Sequence, residues 1–259
     1  MKFMNIQGVP ISYYDKGEGI PLVLIHPPGF GHKVFYRQFP LTQYFRCIIP
    51  DLSGHGNSGV YKVQPTIDDY VEELRALMEH LSVESFFLFG YSSGGSVAQA
   101  FSIKYPHKVR GLLLSGAYPK VSSTILNVEH RIGIWLAKNH PKILSKMLST
   151  NHGIDKHSTL ELYWYLRKSN PRVWANFYKE ALHFNCVRQL QQLTMPVLLL
   201  YGSLADPINK SVRIYKKYLQ PEIIFINKAT HQLPVYHAEE INVQIINFIK
   251  VKDQASTKM

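Results

Sequence analysis

The sequence predicts an α/β protein with a mostly parallel, doubly wound sheet and one inserted helical unit, on three observations. Short apolar runs of strand length alternate with amphipathic helical segments at both ends of the chain. The runs are continuous rather than alternating, which is the pattern of strands buried on both faces. The interval from about Tyr118 to Leu190 breaks that alternation: it keeps helical periodicity, shows no strand pattern and carries all three tryptophans, Trp135, Trp164 and Trp174.

Taken in order, residues Met1 to Tyr14 read as a hairpin turning near Gln7-Gly8. Pro21 to Ile25, Arg46 to Pro50 and Ser85 to Phe89 are three apolar runs, each followed by a glycine-containing loop. From Thr66, the apolar residues Ile67, Tyr70, Val71, Leu74, Leu77, Met78 and Leu81 fall at helical spacing, and Thr66 with Asp69 makes a capping-box start. A second helix over Ser93 to Lys104 is stopped by Pro106, and Val109 to Ser115 is another buried strand. At the far end, Pro196 to Tyr201 reads as a strand, Ser211 to Leu219 as a helix, Glu222 to Ile226 as a strand and Ala238 to Lys250 as a closing helix. The tail from Val251 to Met259 is polar and expected to fray. The division predicted is a core of residues 1–117 and 191–259 with an insertion at 118–190.

Hydrophobic residues at 46% and charged residues at 18% exclude a disordered or coiled-coil chain, and 259 residues suffice for a single α/β unit. The two cysteines, Cys47 and Cys186, lie far apart without CxxC spacing, so buried reduced thiols are expected rather than a disulfide or zinc site. No amino-terminal apolar core of signal-peptide length is present, and no run approaches the roughly 18 apolar residues of a spanning helix, so a cytoplasmic protein without integral membrane contact is expected. Of the net charge of +11, the Tyr118 to Leu190 interval supplies +7, from eleven basic and four acidic residues. No nucleic-acid-binding signature accompanies these dispersed cations, so nucleic acid is not an expected partner. A solvated basic surface is the plain reading, with peripheral contact to anionic lipid as the alternative.

The sharpest chemical signal is Gly90-Tyr91-Ser92-Ser93-Gly94, which follows a buried strand and opens a helix. A serine nucleophile must project from a tight strand-to-helix turn, and flanking glycines relieve the crowding there. The same turn puts the Ser93 N–H at a helix amino terminus, where it can stabilise an oxyanion. Serine needs a base to take its proton, and that base needs an acid. Downstream, Asp206 follows the Pro196 to Tyr201 strand, and His231 follows the Glu222 to Ile226 strand, giving the order serine, acid, histidine. Neither His26, His55 nor His237 is favoured as the base, nor Asp155 as the acid. No HExxH-type spacing supports a metal site, and no cofactor is required.

These residues resemble the α/β-hydrolase fold enzymes over nearly the whole chain, in which nucleophile, acid and histidine occur in that order. Supporting features are His26-Pro27-Pro28-Gly29-Phe30 and the DxxGHGxS-like run Asp51 to Ser58. The resemblance implies Ser92 as nucleophile, His231 as base, Asp206 as acid, and the insertion as a helical lid. It also places Pro28, which has no N–H, where relatives supply the second oxyanion amide, so that donor is expected from a displaced amide such as Gly29 or Phe30, or from a side chain, beside Ser93. The expected pocket wall comprises Pro28, Tyr91, Trp135, Trp164 and Trp174, although aromatics at such spacing also make ordinary core. A serine at the elbow sets aside the aspartate-nucleophile dehalogenases and epoxide hydrolases. The expected activity is hydrolysis of a small or medium carboxylic ester or lactone, a small-molecule substrate. Carbon–carbon or amide cleavage, and a slow-turnover ligand receptor of the same fold, are the alternatives.

Overall fold

The computed structural model describes residues 1–256. Eight strands form one sheet: β1 (Lys2–Ile6), β2 (Val9–Lys16), β3 (Pro21–Ile25), β4 (Arg46–Pro50), β5 (Phe86–Tyr91), β6 (Val109–Ser115), β7 (Val197–Gly202) and β8 (Glu222–Ile226). Their spatial order is β1-β2-β4-β3-β5-β6-β7-β8. The β1–β2 hairpin and the β2–β4 pairing are antiparallel; every pairing from β4 to β8 is parallel. The hairpin turns at Gln7 and Gly8, both with positive φ, as a two-residue primed turn demands.

The continuous apolar runs have a direct physical cause. Along β3, Val23 and Ile25 pack into one core cluster while Leu22 and Leu24 pack into the other, on the opposite face. Along β5, Phe86 and Leu88 face the first cluster, and Phe87 and Phe89 the second. Helices α1 (Ile67–His80) and α2 (Gly94–Lys104) seal the first face, and Thr66 with Asp69 closes the expected capping box on α1. Four helices follow between β6 and β7: α3 (Thr124–Asn139), α4 (Pro141–His152), α5 (Lys156–Leu166) and α6 (Pro171–His183). At the neck of this insertion Lys120 bridges Asn185, and the Cys186 N–H donates to Pro119 O at 2.9 Å. The chain ends with α7 (Ser211–Tyr218), the short α8 (Leu233–Tyr236) and α9 (Ala238–Ser256). Helix α9, with the 3₁₀ segment Gly31–Gln43, covers the second face. Cys47 and Cys186 are buried free thiols, both pushed up to about 12 by burial.

One boundary differs from expectation. Helix α9 continues through Val251–Ser256, most of the stretch expected to fray, because Lys252 pairs with Glu222 and Asp253 with Arg110. Residues 257–259 of that stretch lie outside the described residues.

Glu73 of α1 is buried beneath the Asp51–Ser58 loop. Its Oε1 accepts from the Ser53 N–H at 2.9 Å, Oε2 has no partner, and burial pushes the carboxyl up to about 8. A carboxyl raised in the folded state contributes fully below its unfolded pKa of about 4.3, and that contribution is lost as pH rises toward the folded value. Glu73→Gln keeps the acceptor and removes the titration. Thermal melts should therefore show the variant gaining stability relative to wild type between about pH 5 and pH 9, whereas a difference independent of pH would refute the burial argument.

Candidate active site

Ser92 lies between β5 and α2 with φ +52, a left-handed conformation that costs a non-glycine residue about 1–3 kcal/mol. The surroundings enforce it. The Ser92 N–H donates to Ser115 O at the end of β6 (2.8 Å), and the Gly95 N–H to Ser92 O (2.9 Å). A Cβ on Gly90 would come within 2.6 Å of Gly95 Cα, and one on Gly94 would strike the Ile25 carbonyl oxygen. The glycines are thus required by close backbone approach on both sides of the serine.

Asp206 and His231 emerge from loops after β7 and β8, at the same end of the sheet. His231 Nε2 is 2.8 Å from Ser92 Oγ, and His231 Nδ1 is 3.7 Å from Asp206 Oδ2. With the proton on Nδ1 facing the carboxylate, Nε2 is free to accept the Ser92 hydroxyl hydrogen. Asp206 Oδ1 accepts from the Ile208 N–H at 2.9 Å, which orients the carboxylate. Burial pushes the His231 pKa below its ordinary value, and the Asp206 charge opposes that shift. Tyr91 stacks on the imidazole with ring centroids 5.6 Å apart, and Gly116, at φ +55, lies beneath it. A Cβ there would approach His231 Cε1 and Nδ1 to 2.8 Å.

The three residues the sequence order singled out are therefore brought together. His26 and His55 are buried outside the cavity wall, their rings 5.3 Å apart, pushed down by burial to about 4 and about 3. His26 Nε2 accepts from the Leu52 N–H at 3.0 Å, so its lone pair is engaged. Asp155 caps α5, and His237 lies outside the cavity wall.

A cavity of about 600 Å³ opens over Ser92 and His231. Pro28, Phe30 and Tyr91 line it, but Trp135, Trp164 and Trp174, expected in its wall, do not. Helix α3 turns Leu126, Gly133 and Leu136 to the cavity, which leaves Trp135 in solvent, 55% exposed. Helix α5 buries Leu162, Tyr165 and Leu166, which leaves Trp164 63% exposed. Trp174 is core, pressed against Gly29, where its ring occupies the space a Cβ would need. The apolar wall is instead largely aliphatic: Leu126, Ile132, Leu136, Leu144, Met147 and Leu148.

In the loop after β3, the Phe30 N–H turns back to Pro27 O at 3.4 Å, and Gly29, at φ +93, presents its carbonyl to Ser169 Oγ at 2.8 Å. Among the described residues, the Ser93 and Gly29 N–H groups donate to no protein acceptor.

Two tyrosine–histidine pairs were not legible in the sequence; His130, His152 and Tyr91 line the cavity, and Tyr118 lies behind His130. His130 Nδ1 bonds the Leu126 carbonyl (2.8 Å), so its Nε2 accepts from Tyr118 OH (2.6 Å), which lies 2.9 Å from Ser93 Oγ. His152 Nδ1 bonds the Leu148 carbonyl (3.0 Å), and its Nε2 accepts from Tyr91 OH (3.1 Å). On a single sequence these histidines occupy ordinary helical positions, and no spacing marks them.

A family model described as alpha/beta hydrolase fold matches residues 21–183. This chain belongs to the α/β-hydrolase fold family. Among curated proteins it is 26% identical over 245 residues to a pimeloyl-[acyl-carrier protein] methyl ester esterase of Legionella pneumophila, covering 92% of this chain and 99% of that one. It is 32% identical over 115 residues to the 2-hydroxy-6-oxo-2,4-heptadienoate hydrolase of Pseudomonas putida, a match spanning 42% of each chain. Among solved structures, an esterase from Exiguobacterium antarcticum superposes with a TM-score of 0.85 at 16% identity, over 96% of this chain and 98% of that one. A structure from a study of carboxylesterases of Nitrososphaera gargenis superposes with a TM-score of 0.84 at 21% identity, over 98% of this chain and all of the other.

Gly116→Ala should leave the sheet intact while displacing His231. The expected result is a folded protein, by circular dichroism, in which Ser92 reacts with a fluorophosphonate probe at least about tenfold more slowly, because His231 Nε2 then no longer faces Ser92 Oγ. Unchanged labelling would show that the imidazole is not held by this contact.

Proposed function

We propose that this hydrolase cleaves a small or medium carboxylic ester or lactone through an acyl-enzyme on Ser92. The 2.8 Å approach of His231 Nε2 to Ser92 Oγ at a strained elbow, opening into a mostly aliphatic cavity, is the observation that carries the reading. Ser92 Oγ attacks the ester carbonyl as His231 Nε2 takes its proton, and the Asp206 carboxylate stabilises the imidazolium. The Ser93 N–H, at the amino end of α2, donates a hydrogen bond to the carbonyl oxygen as charge develops on it. His231 then returns the proton to the departing alcohol, and a water activated by the same imidazole hydrolyses the acyl-enzyme, releasing the acid and free Ser92.

In this reading helices α3–α6 are a lid over a core of residues 1–117 and 191–259, and the enzyme works in the cytoplasm. The aliphatic wall suits the acyl part of the substrate. The name of the Legionella relative, which aligns over nearly its whole length, agrees with ester rather than carbon–carbon cleavage.

The test is hydrolysis of p-nitrophenyl esters from acetate to palmitate. Wild type should turn over with an optimum at short to medium chains, and Ser92→Ala and His231→Ala should each lose at least about 1,000-fold in kcat. A wild type no faster than either variant would overturn the assignment.

Pro28 generates a second prediction. Removing one oxyanion donor costs on the order of 100-fold to 1,000-fold in related chemistry, and proline leaves that position without an amide. Pro28→Ala restores an N–H and should raise kcat on the order of 100-fold with little change in KM. An unchanged kcat would mean that the Gly29 or Phe30 amide already serves. If no variant in either series turns over any ester, the slow-turnover ligand receptor becomes the better reading.

A further inference from the structure

The outer face of the insertion carries an apolar stripe that packing within the chain leaves uncovered. On α3, Ile125, Val128, Ile132 and Trp135 are each about half exposed, at spacings of three, four and three residues that put them on one side of the helix. On α4, Ile143 and Met147, one turn apart, are exposed to the same degree. Scattered exposed apolar side chains are ordinary, but a row of them across two consecutive helices marks a contact surface.

The stripe has two further properties. It runs into the mouth of the cavity, since Ile132 and Met147 are both half exposed and part of the cavity wall. It is also flanked by cations: Arg131, Lys138, Lys142 and Lys146 are exposed, against Glu129 as the one acidic residue of the two helices. Among the described residues, none of these four side chains makes an ion pair. Apolar residues including a tryptophan on one side, with lysine and arginine alongside, is the composition of a helix lying in the interface of an anionic bilayer. A second copy fits less well, because pairing two such faces would set uncompensated lysines opposite one another in a chain of net charge +11.

We propose that α3 and α4 dock this protein on an anionic lipid surface, with Ile125, Val128, Trp135 and Ile143 entering the interface and Lys142 and Lys146 engaging headgroups. Docked in this way, the cavity mouth faces the lipid, and an ester with an apolar acyl chain passes along Ile132 and Met147 to Ser92 without crossing water. That consequence for substrate choice rests on the esterase reading above; the docking itself does not.

The two are separated by measuring binding with Ser92→Ala protein, full length, which needs no turnover. Co-sedimentation with vesicles of phosphatidylcholine plus phosphatidylserine should retain the protein, and vesicles of phosphatidylcholine alone should retain far less. Reversing Lys142 and Lys146 to glutamate should weaken binding on the order of 25-fold or more, at about fivefold for each lysine lost. Trp135→Ser with Ile143→Ser should weaken it about tenfold through lost apolar burial. These positions are solvent-facing, so all variants should melt like wild type. No retention on phosphatidylserine vesicles, equal retention on both vesicle types, or indifference to both pairs of substitutions would overturn the proposal. So would sedimentation equilibrium showing a lipid-free dimer abolished by Trp135→Ser, which would assign the stripe to a second copy.

Discussion

The backbone at Ser92 is the constraint on which the rest of the site depends. A left-handed serine between a strand and a helix survives only where its surroundings hold it, and here the hold comes from β6 (Ser115 O), from the close approach of Gly90 to Gly95, and from the Ile25 carbonyl against Gly94. Those partners come from strands β3, β5 and β6, adjacent members of the parallel sheet. Because parallel strands present their carboxyl ends together, the same alignment delivers Asp206 from β7 and His231 from β8 to the serine. The sheet therefore sets the spacing of the three groups, and the turn sets the direction of the Ser92 side chain.

Histidine chemistry in this protein is sorted by what each ring nitrogen already does. His130 and His152 each tie Nδ1 to the carbonyl four residues back on their own helix, which fixes the tautomer and leaves Nε2 as an acceptor for a tyrosine hydroxyl. Burial keeps both neutral, His152 down at about 3. His26 accepts the Leu52 N–H and is likewise held neutral by burial. His231 differs: its Nδ1 faces a carboxylate instead of a backbone carbonyl, so a charged imidazolium there has a counter-ion. Of the histidines at the cavity, it alone stands where both proton uptake and proton return have an electrostatic partner.

Much of this was readable from residues alone, and the limits follow from what periodicity encodes. Continuous runs such as Pro21 to Ile25 signalled two-sided burial, and the glycines around Ser92 signalled a close-packed turn, because both patterns are imposed by local sterics. Element order carried Asp206 and His231 to strand ends. Helical spacing, by contrast, identifies an apolar stripe without saying what covers it. On α3, Leu126 and Leu136 face the cavity while Val128 and Trp135 reach solvent, and all four are apolar. Expecting the tryptophans to roof the pocket was the natural error, and aliphatic side chains do so instead. The extension of α9 was hidden for a different reason: its last turns are polar and are held by ion pairs to Glu222 and Arg110, residues distant in sequence.

The charge distribution and the cavity belong to one argument. The insertion supplies most of the positive charge, yet among the described residues the cavity wall holds no lysine or arginine: beside the carboxyl groups of Asp206 and Glu129 it is made mainly of histidines, tyrosines and aliphatic side chains. In the proposed acyl transfer, a low-polarity interior would strengthen the Asp206–His231 and Ser93 amide interactions with developing charge, because water does not compete for it. Cations inside that cavity would pull the imidazole toward its neutral form and blunt the role of Asp206. Keeping them out of the cavity wall leaves the interior field to the carboxyl groups and the helix amino terminus, while the surface field is free to act on whatever the insertion meets.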